Sequence, residues 1–404
     1  MRKEYDVIVV GAGPAGGQCA RNLAKKGLSV LLVERYHSFY DNDFSSAGMS
    51  LDGFNEFNFP ESIVGRYWKN FTIQTSNELA QWKGNTNKGV VLDFAKLRTF
   101  LADECKDNGG DVLMGYSYIS KDYTNDGVIA HFYSKKEDKK ITLKAKLLVD
   151  ATGPARKVIY DTLKEQPEME TSAGVEYLIK VDDVVYDKFK DDLFFFLGDK
   201  WSYKGYSWIF PMKENTLKVG SAKLLYKTHE KSAESLKEIT ERIITDYMNA
   251  TDYKIIDVHG GAVRTTRNFS EAFYKERIVA IGDSVSTINP LGGEGIRYAL
   301  RCANAVTPHV VNFVKKDKNT FSTYRRRWRK KYLFTWKLCL FLSDTVYYDF
   351  SDAIIDEKIR KYKKLVDVDQ LVDIVFEFKF TNLFRRVFSY VWKKIKTKLS
   401  FTAA

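Results

Sequence analysis

The sequence predicts an α/β fold in three parts: a three-layer domain built on a parallel sheet, an antiparallel-sheet domain interleaved with it, and a helical C-terminal region. Three observations predict it. Residues 5–34, YDVIVVGAGPAGGQCARNLAKKGLSVLLVE, run apolar strand, glycine turn, helix, strand and acid. Residues 277–303, RIVAIGDSVSTINPLGGEGIRYALRCA, give a second buried strand, glycine-rich loop and helix far along the chain. Between these segments, over residues 170–259, the pattern changes to short strands separated by polar turns.

The first strand, residues 7–10, is an unbroken β-branched run, as a parallel strand buried on both faces requires. It leads into Gly11-Ala12-Gly13-Pro14-Ala15-Gly16. Gly11 permits the tight turn, Gly13 lets the backbone approach a pyrophosphate, and Gly16 lets helix and strand pack closely. The helix beginning at Pro14 and Ala15 offers free N–H groups and a positive dipole end to phosphates. The next buried strand, 29–33, ends at Glu34, about twenty residues past the central glycine. A carboxylate there accepts both ribose hydroxyls and repels a 2′-phosphate. Arg35, next in the chain, is assigned to the same group. The segment is a Rossmann-like dinucleotide site.

The second segment identifies the dinucleotide. An enzyme using only NAD needs no remote second site. FAD does, because its ribityl chain and isoalloxazine ring extend well past the first pyrophosphate turn. Paired this way, the segments resemble the FAD-binding glutathione-reductase-like fold in its p-hydroxybenzoate-hydroxylase branch. The resemblance implies Asp283 on the ribityl hydroxyls and Pro290 beside the ring. Gly293 and Gly295 complete the loop, and the helix starting at Ile296 points its N-terminus at the N1/O2 edge, where reduced flavin is negative. It also implies a helix over residues 90–104 lying against the FAD, with Arg98 near the pyrophosphate; the residues alone equally allow a solvated arginine. Residues 146–153, KLLVDATG, read as the strand that closes the domain. Aromatic hydroxylases of this branch carry an Asp-Gly pair here that helps to hold NADPH. Asp150-Ala151 stands in its place, which counts against a hydroxylase.

At 404 residues the chain is long enough for two intimately joined domains. A composition 44% hydrophobic and 14% aromatic supplies a core and flat surfaces for a planar cofactor. Cys19, Cys105, Cys302 and Cys339 show no CxxC spacing and the histidines are scattered, so neither a disulfide framework nor a metal is expected. Cys19 and Cys302 fall on helices beneath the cofactor loops and read as core thiols. No signal or transit pattern precedes the first strand, so a cytoplasmic location is expected. No window of roughly 18 apolar residues is free of charge. The most hydrophobic one, 332–348, is broken by Lys337 and Asp344.

Net charge is +12 and unevenly placed. Residues 324–331 are YRRRWRKK, and residues 381–401, TNLFRRVFSYVWKKIKTKLSF, hold six basic residues and no acid. On a helix Phe384, Val387, Phe388, Val391, Trp392, Ile395 and Leu399 share one stripe, with Arg385, Arg386, Lys393, Lys394 and Lys396 flanking or opposing it. Such a helix lies in an anionic membrane interface, so peripheral membrane contact is expected. A core-packed terminal helix with a solvated basic face has the same pattern. No recognition motif accompanies the basic residues, and nucleic acid is not an expected partner.

In the middle, residues 175–181, 192–197, 203–211 and 216–223 read as strands and 232–249 as a helix. Tyr206, Trp208 and Phe210 alternate along one strand and share a face. Aromatic walls suit an apolar chain, and equally the core of a small sheet. Tyr206-x-Trp208-x-Phe210-Pro211 matches the YxWxFP motif of the geranylgeranyl reductase family, and the order GAGPAG, YSWIFP, GDSVSTINPLGGEGIRYA resembles that family across most of the chain. The resemblance implies an FAD-dependent oxidoreductase. It would reduce carbon–carbon double bonds of a geranylgeranyl or related isoprenoid or carotenoid lipid by hydride transfer from flavin N5, with Tyr206, Trp208, Phe210 and Pro211 lining an apolar tunnel. Tyr206 or an ordered water is the candidate proton donor. No second βαβ glycine motif for NADPH is present, so electrons are expected from an acidic ferredoxin-like carrier or from NADPH docking transiently.

Two departures stand out. Family members often carry a cysteine in the loop after the second strand, but residues 44–49, FSSAGM, have none. The family's arginine after the helix-opening aspartate is Phe94 here, following Asp93, which leaves Arg98 for that role. Residues 44–49 and 91–98 also resemble carotenoid-cyclase-like relatives, which use reduced FAD without net redox change. A cyclase or a monooxygenase is the alternative activity, and a non-catalytic flavoprotein the alternative class. Domain boundaries are placed at 1–165 plus 255–315 for FAD binding, 166–254 for the substrate domain, and 316–404 for the basic helical region.

Overall fold

The protein is described by a computed structural model over residues 2–225 and 234–379. Its first strand, Glu4–Val10, lies inside an eight-stranded sheet. The main path of that sheet runs Tyr274–Lys275, Ile278–Ala280, Lys139–Asp150, Glu4–Val10, Val30–Glu34, Asp111–Met114. Its inner pairings are all parallel. Parallel neighbours need crossover connections that cover both faces, and this is why residues 7–10 and 30–33 can be apolar throughout. All eight are buried. The helices are α1 (Pro14–Lys25), α2 (Leu51–Asn55), α3 (Phe94–Asp107), α4 (Asp183–Phe189), α5 (Leu236–Arg242), α6 (Ile296–Lys316), α7 (Phe321–Asp344), α8 (Asp352–Leu365) and α9 (Val368–Val375). α1 packs against α3 and α6, which brings the two glycine-rich segments to the same edge of the sheet.

That junction is made of backbone. Gly11 has φ +100°, and a side chain there would run into the Ala151 carbonyl. A Cβ on Gly16 would overlap the Gly11 carbonyl, and one on Gly282 would sit 2.7 Å from the Ala15 Cβ. Beneath it, fully buried Asp150 accepts hydrogen bonds from Thr152 N (2.9 Å) and Oγ1 (2.7 Å), Val158 N (3.0 Å), Ile159 N (2.9 Å) and Ser284 Oγ (3.1 Å). The Asp150 carboxylate is thus spent on its own loop and on the second motif.

The other large sheet has seven strands, in the order Lys254–Thr265, Glu170–Lys180, Thr216–Leu224, Gly205–Pro211, Asp192–Leu197, Asn70–Gln74, Leu79–Trp82. It is wider than the 166–254 segment assigned to it. Two strands come from before the crossover and one from after it, and the Asp192–Leu197 pairing with Asn70–Gln74 is parallel, not antiparallel. The added strands widen the sheet, and the helices cover its faces, while Lys254–Thr265 remains a largely exposed edge strand. One face packs Val175, Ile179, Ile209 and Val219 against Ile239, Ile243 and Ile244 of the α5 segment. That helix is shorter than the 232–249 expected: Ser235 and Glu238 form a capping box at its start, and a wider π turn takes over at Ile243–Tyr247. Residues 89–92 are likewise a strand, not the start of α3, because Asp93 caps that helix through Lys96 N. α8 and α9 pack Ile355, Ile359, Val368 and Leu371 toward Phe71 and Trp82. Residues 381–401, expected as the amphipathic basic helix, lie outside the described residues.

Asp150→Ala should lower the unfolding free energy by about 3 kcal/mol or more, since several buried donors lose their acceptor at once. Urea unfolding measures this, and an unchanged midpoint would refute the hub role.

Candidate functional site: a glycine cradle opening on an aromatic cavity

At the cofactor end, α1 begins at Pro14 with Gly13 as N-cap and no side chain capping its first turn. Its leading N–H groups are therefore left for an outside acceptor. A Cβ on Gly13 would meet nothing within 4 Å, and the same holds at Gly153 and Gly292, so the backbone faces open space at all three. This is the surface a pyrophosphate needs, and the residues present fit FAD. Glu34 is buried. Its Oε2 accepts from Ala12 N (3.0 Å) and Arg98 Nη2 (3.1 Å), and its Oε1 from Tyr36 N (3.2 Å). Arg98 is buried too, its Nε donating to the Ala12 carbonyl at 3.1 Å. The pair thus clamps the glycine turn from below, and the solvated-arginine alternative for Arg98 falls. Arg35 instead points outward, donating to the Tyr36 hydroxyl at 3.0 Å. Asp283 is partly buried, and burial pushes its carboxyl up against the pull of Arg156; Thr287 Oγ1 donates to it at 3.2 Å.

The second glycine loop is held by its own backbone and by α7. Buried Asn289 accepts from Leu291 N (2.8 Å) and Gly292 N (3.2 Å) through Oδ1, and its Nδ2 donates to Cys339 Sγ at 3.2 Å. Pro290 sits in this turn. Trp336 Nε1 donates to the Ile288 carbonyl (3.1 Å) and the Tyr347 hydroxyl to that of Leu291 (3.1 Å). Gly295 caps α6 without a side-chain bond, so the helix opens toward the cavity at Ile296.

That cavity, of about 240 Å³, runs from Gly292–Ile296 along the seven-stranded sheet. Its wall follows from register. Phe71 stands opposite Leu193, Ile73 opposite Phe195, Phe195 opposite Trp208, and Leu197 opposite Tyr206, so side chains of alternating residues on three strands make one apolar face. Tyr206, Trp208 and Phe210 all line it; Pro211, at the strand end, does not. The Trp208 ring is fixed. It lies over Gly220 on the neighbouring strand, where any Cβ would overlap it, and its Nε1 donates to Glu176 Oε2 at 2.8 Å one strand further on. Burial pushes the Glu176 carboxyl up, with Lys218 and the Trp208 bond opposing. The Tyr206 hydroxyl donates to the Gly292 carbonyl at 3.1 Å, tying the aromatic wall to the cofactor loop, and burial pushes it up to about 12.

Several lining residues were not picked out from sequence. Leu193, Phe195 and Leu197 had a usable signal, the alternation in DLFFFL. Phe71, Ile73, Val346, Tyr347 and the 374–376 segment had none, because they reach the cavity from distant parts of the chain. Among the described residues no cluster of metal-binding side chains occurs, and all four cysteines are buried free thiols.

Gly220→Ala should push the Trp208 indole off Glu176 and cost about 1–3 kcal/mol. The readout is Trp fluorescence compared with a Trp208→Phe background, together with denaturant unfolding; unchanged values in both would contradict this packing.

Residues 6–159 match the family model for FAD dependent oxidoreductases, and residues 172–263 that for the geranylgeranyl reductase catalytic domain. The chain is 27% identical over 372 residues to a digeranylgeranylglycerophospholipid reductase of Haloferax volcanii, spanning 86% of this chain and 87% of that one. Its fold matches that of a geranylgeranyl bacteriochlorophyll reductase-like protein of Thermoplasma acidophilum, with TM-score 0.81 and 20% identity over 94% of this chain and 98% of the other. A p-nitrophenol 4-monooxygenase of Pseudomonas putida shares the fold at TM-score 0.72 and 16% identity, over 94% and 98%. With an FAD-dependent oxidoreductase segment followed by a segment that matches the geranylgeranyl reductase catalytic domain, this chain is an FAD-dependent oxidoreductase similar to the geranylgeranyl reductases.

Proposed function

We propose that this protein reduces carbon–carbon double bonds in the isoprenoid chain of a lipid, with FAD held by Gly11, Gly13, Pro14, Ala15, Gly16, Glu34, Arg98, Asp283, Pro290, Gly293, Gly295 and Ile296. The observation that carries this reading is the aromatic cavity walled by Phe195, Tyr206, Trp208 and Phe210 and ending at the glycine loop before α6. An apolar wall with few polar groups favours a hydrocarbon over an aromatic phenol or a charged substrate. Bound and reduced, FAD supplies a hydride. The chain's own residues place the alkene, exclude water and supply the second hydrogen as a proton. The Haloferax volcanii relative is named for reducing a digeranylgeranylglycerophospholipid, which supports a lipid substrate. The electron donor to FAD is an acidic ferredoxin-like protein, favoured by the net charge of +12, or NADPH.

Incubating the reduced holoprotein with a total polyprenyl lipid extract should add the mass of two hydrogens per double bond, read by mass spectrometry. A product of unchanged mass would move the reading to a cyclase, and fast oxygen consumption with an aromatic substrate to a monooxygenase. Gly13→Val, which fills the open cradle, should weaken FAD binding by about tenfold or more.

We infer contact with an anionic membrane surface from α7. Phe334 and Phe341 are 79% and 64% exposed on one helix face, among exposed Arg327, Lys330, Lys331 and Lys337, and α7 holds no acid before Asp344. Wild type should float with vesicles containing phosphatidylglycerol and lose this at high salt. The double variant Phe334→Ser, Phe341→Ser should bind several-fold more weakly; equal flotation would overturn the assignment to this face.

A further inference from the structure

Reducing an alkene with a hydride leaves one carbon that needs a proton, and the tyrosine expected from sequence is poorly suited to give it. The loop at residues 44–49 has no cysteine. Tyr206 already gives its hydroxyl proton to the Gly292 carbonyl and is a very weak acid in its buried setting.

Glu294 stands in the turn between the second glycine loop and α6, among the residues lining the cavity. Its side chain is only 8% exposed. Oε2 accepts from Arg297 Nη2 at 2.8 Å, while Oε1 is buried with no hydrogen-bond partner among the described residues. A bare buried carboxylate oxygen is costly, and a bound proton removes that cost.

The surrounding charges also leave room for a proton. Arg297 is fully buried and is shared, for it also donates to Glu377 and to the Phe376 carbonyl. Arg301 is held by Glu56 at 2.6 Å and lies 3.8 Å from Glu377. Within this linked set three carboxylates face two guanidiniums, and the one further cation acting on Glu377 among the described residues, Lys379, is itself paired with Asp373 at 2.8 Å, so the set holds a surplus carboxylate. Glu56 receives two donors from Arg301, and Glu377 receives Arg297 and the Ser50 hydroxyl at 3.1 Å, so each has two donors. Glu294, with one donor, is the member left to hold the proton. Burial raises its carboxyl to about 7, against the pull of Arg297 and Arg301 and with the push of Glu377; the adjacent Tyr298 phenol is itself raised and stays neutral.

We propose that Glu294 is the proton donor of the reduction. The inference rests on the alkene-reductase reading above. In the balanced step one alkene carbon takes the hydride from reduced FAD and the other takes the Glu294 proton. The double bond becomes a single bond, the flavin is oxidised by two electrons, and Glu294 is left as a carboxylate that regains its proton from water. The flavin is reduced again by the nicotinamide or iron–sulfur donor.

The test uses the FAD-loaded full chain in two measurements. First, without substrate, isotope-edited infrared spectroscopy of glutamate-labelled protein should show a protonated carboxyl that disappears as pH rises through about 7 and is absent from Glu294→Gln. A Glu294 ionised at every pH above 5 would overturn the proposal. Second, Glu294→Gln should bind FAD normally, keep KM within a few-fold and lose kcat by about 10²–10⁴-fold. Glu294→Asp should recover part of it. The wild-type rate should fall above pH 7, because the acid must be protonated to act, and the glutamine variant should lack that limb. A glutamine variant as active as wild type overturns the donor role alone. A wild type that reduces no isoprenoid overturns the reductase reading, and the donor role falls with it.

Discussion

The close backbone contact around the N-terminus of α1 is the constraint on which the rest of the site depends. Gly11, Gly16, Ala151 and Gly282 come from three separate segments and meet with almost no side chain between them. Because nothing fills the junction, the first turn of α1, the loop after the Lys139–Asp150 strand and the Gly282-Asp283 turn share one small volume. Asp150 holds this arrangement by hydrogen bonds to both its own loop and Ser284. An uncapped helix end and open space before Gly13 are the consequence, and they are what a dinucleotide phosphate requires.

The same economy shapes the cavity. Gly220 is small so that the Trp208 indole can cross it and reach Glu176. One buried carboxylate thus orients a ring on a strand two places away, and the ring forms part of the wall. Tyr206 closes the circuit by bonding the Gly292 carbonyl, so the aromatic face and the glycine loop are fixed to each other and not merely adjacent.

The helical C-terminal region takes part in the site as well as covering it. α7 braces the second glycine loop through Trp336 and Cys339, and the π turn after it does so through Tyr347, while the outer face of α7 keeps Phe334 and Phe341 in solvent. The segment after α9 brings Phe376 to the cavity and Glu377 to Arg297. Through that ion cluster the electrostatics of Glu294 depend on residues some eighty positions away in the chain.

Local chemistry was legible in the sequence. Glycines that need positive φ or close approach, β-branched runs buried on both faces and an alternating aromatic strand each carry their reason within a few residues, so Gly11, Gly13, Gly16, Tyr206, Trp208 and Phe210 could be named without coordinates. Glu34 and Arg98 were also named, but only the fold showed that they bind each other beneath the turn. The borrowed strands Asn70–Gln74 and Leu79–Trp82, the bracing by α7 and the surplus carboxylate around Arg297 were decided by tertiary structure alone. Long-range strand pairing and the count of charges inside a buried volume depend on which segments meet, and no local pattern of residues encodes that.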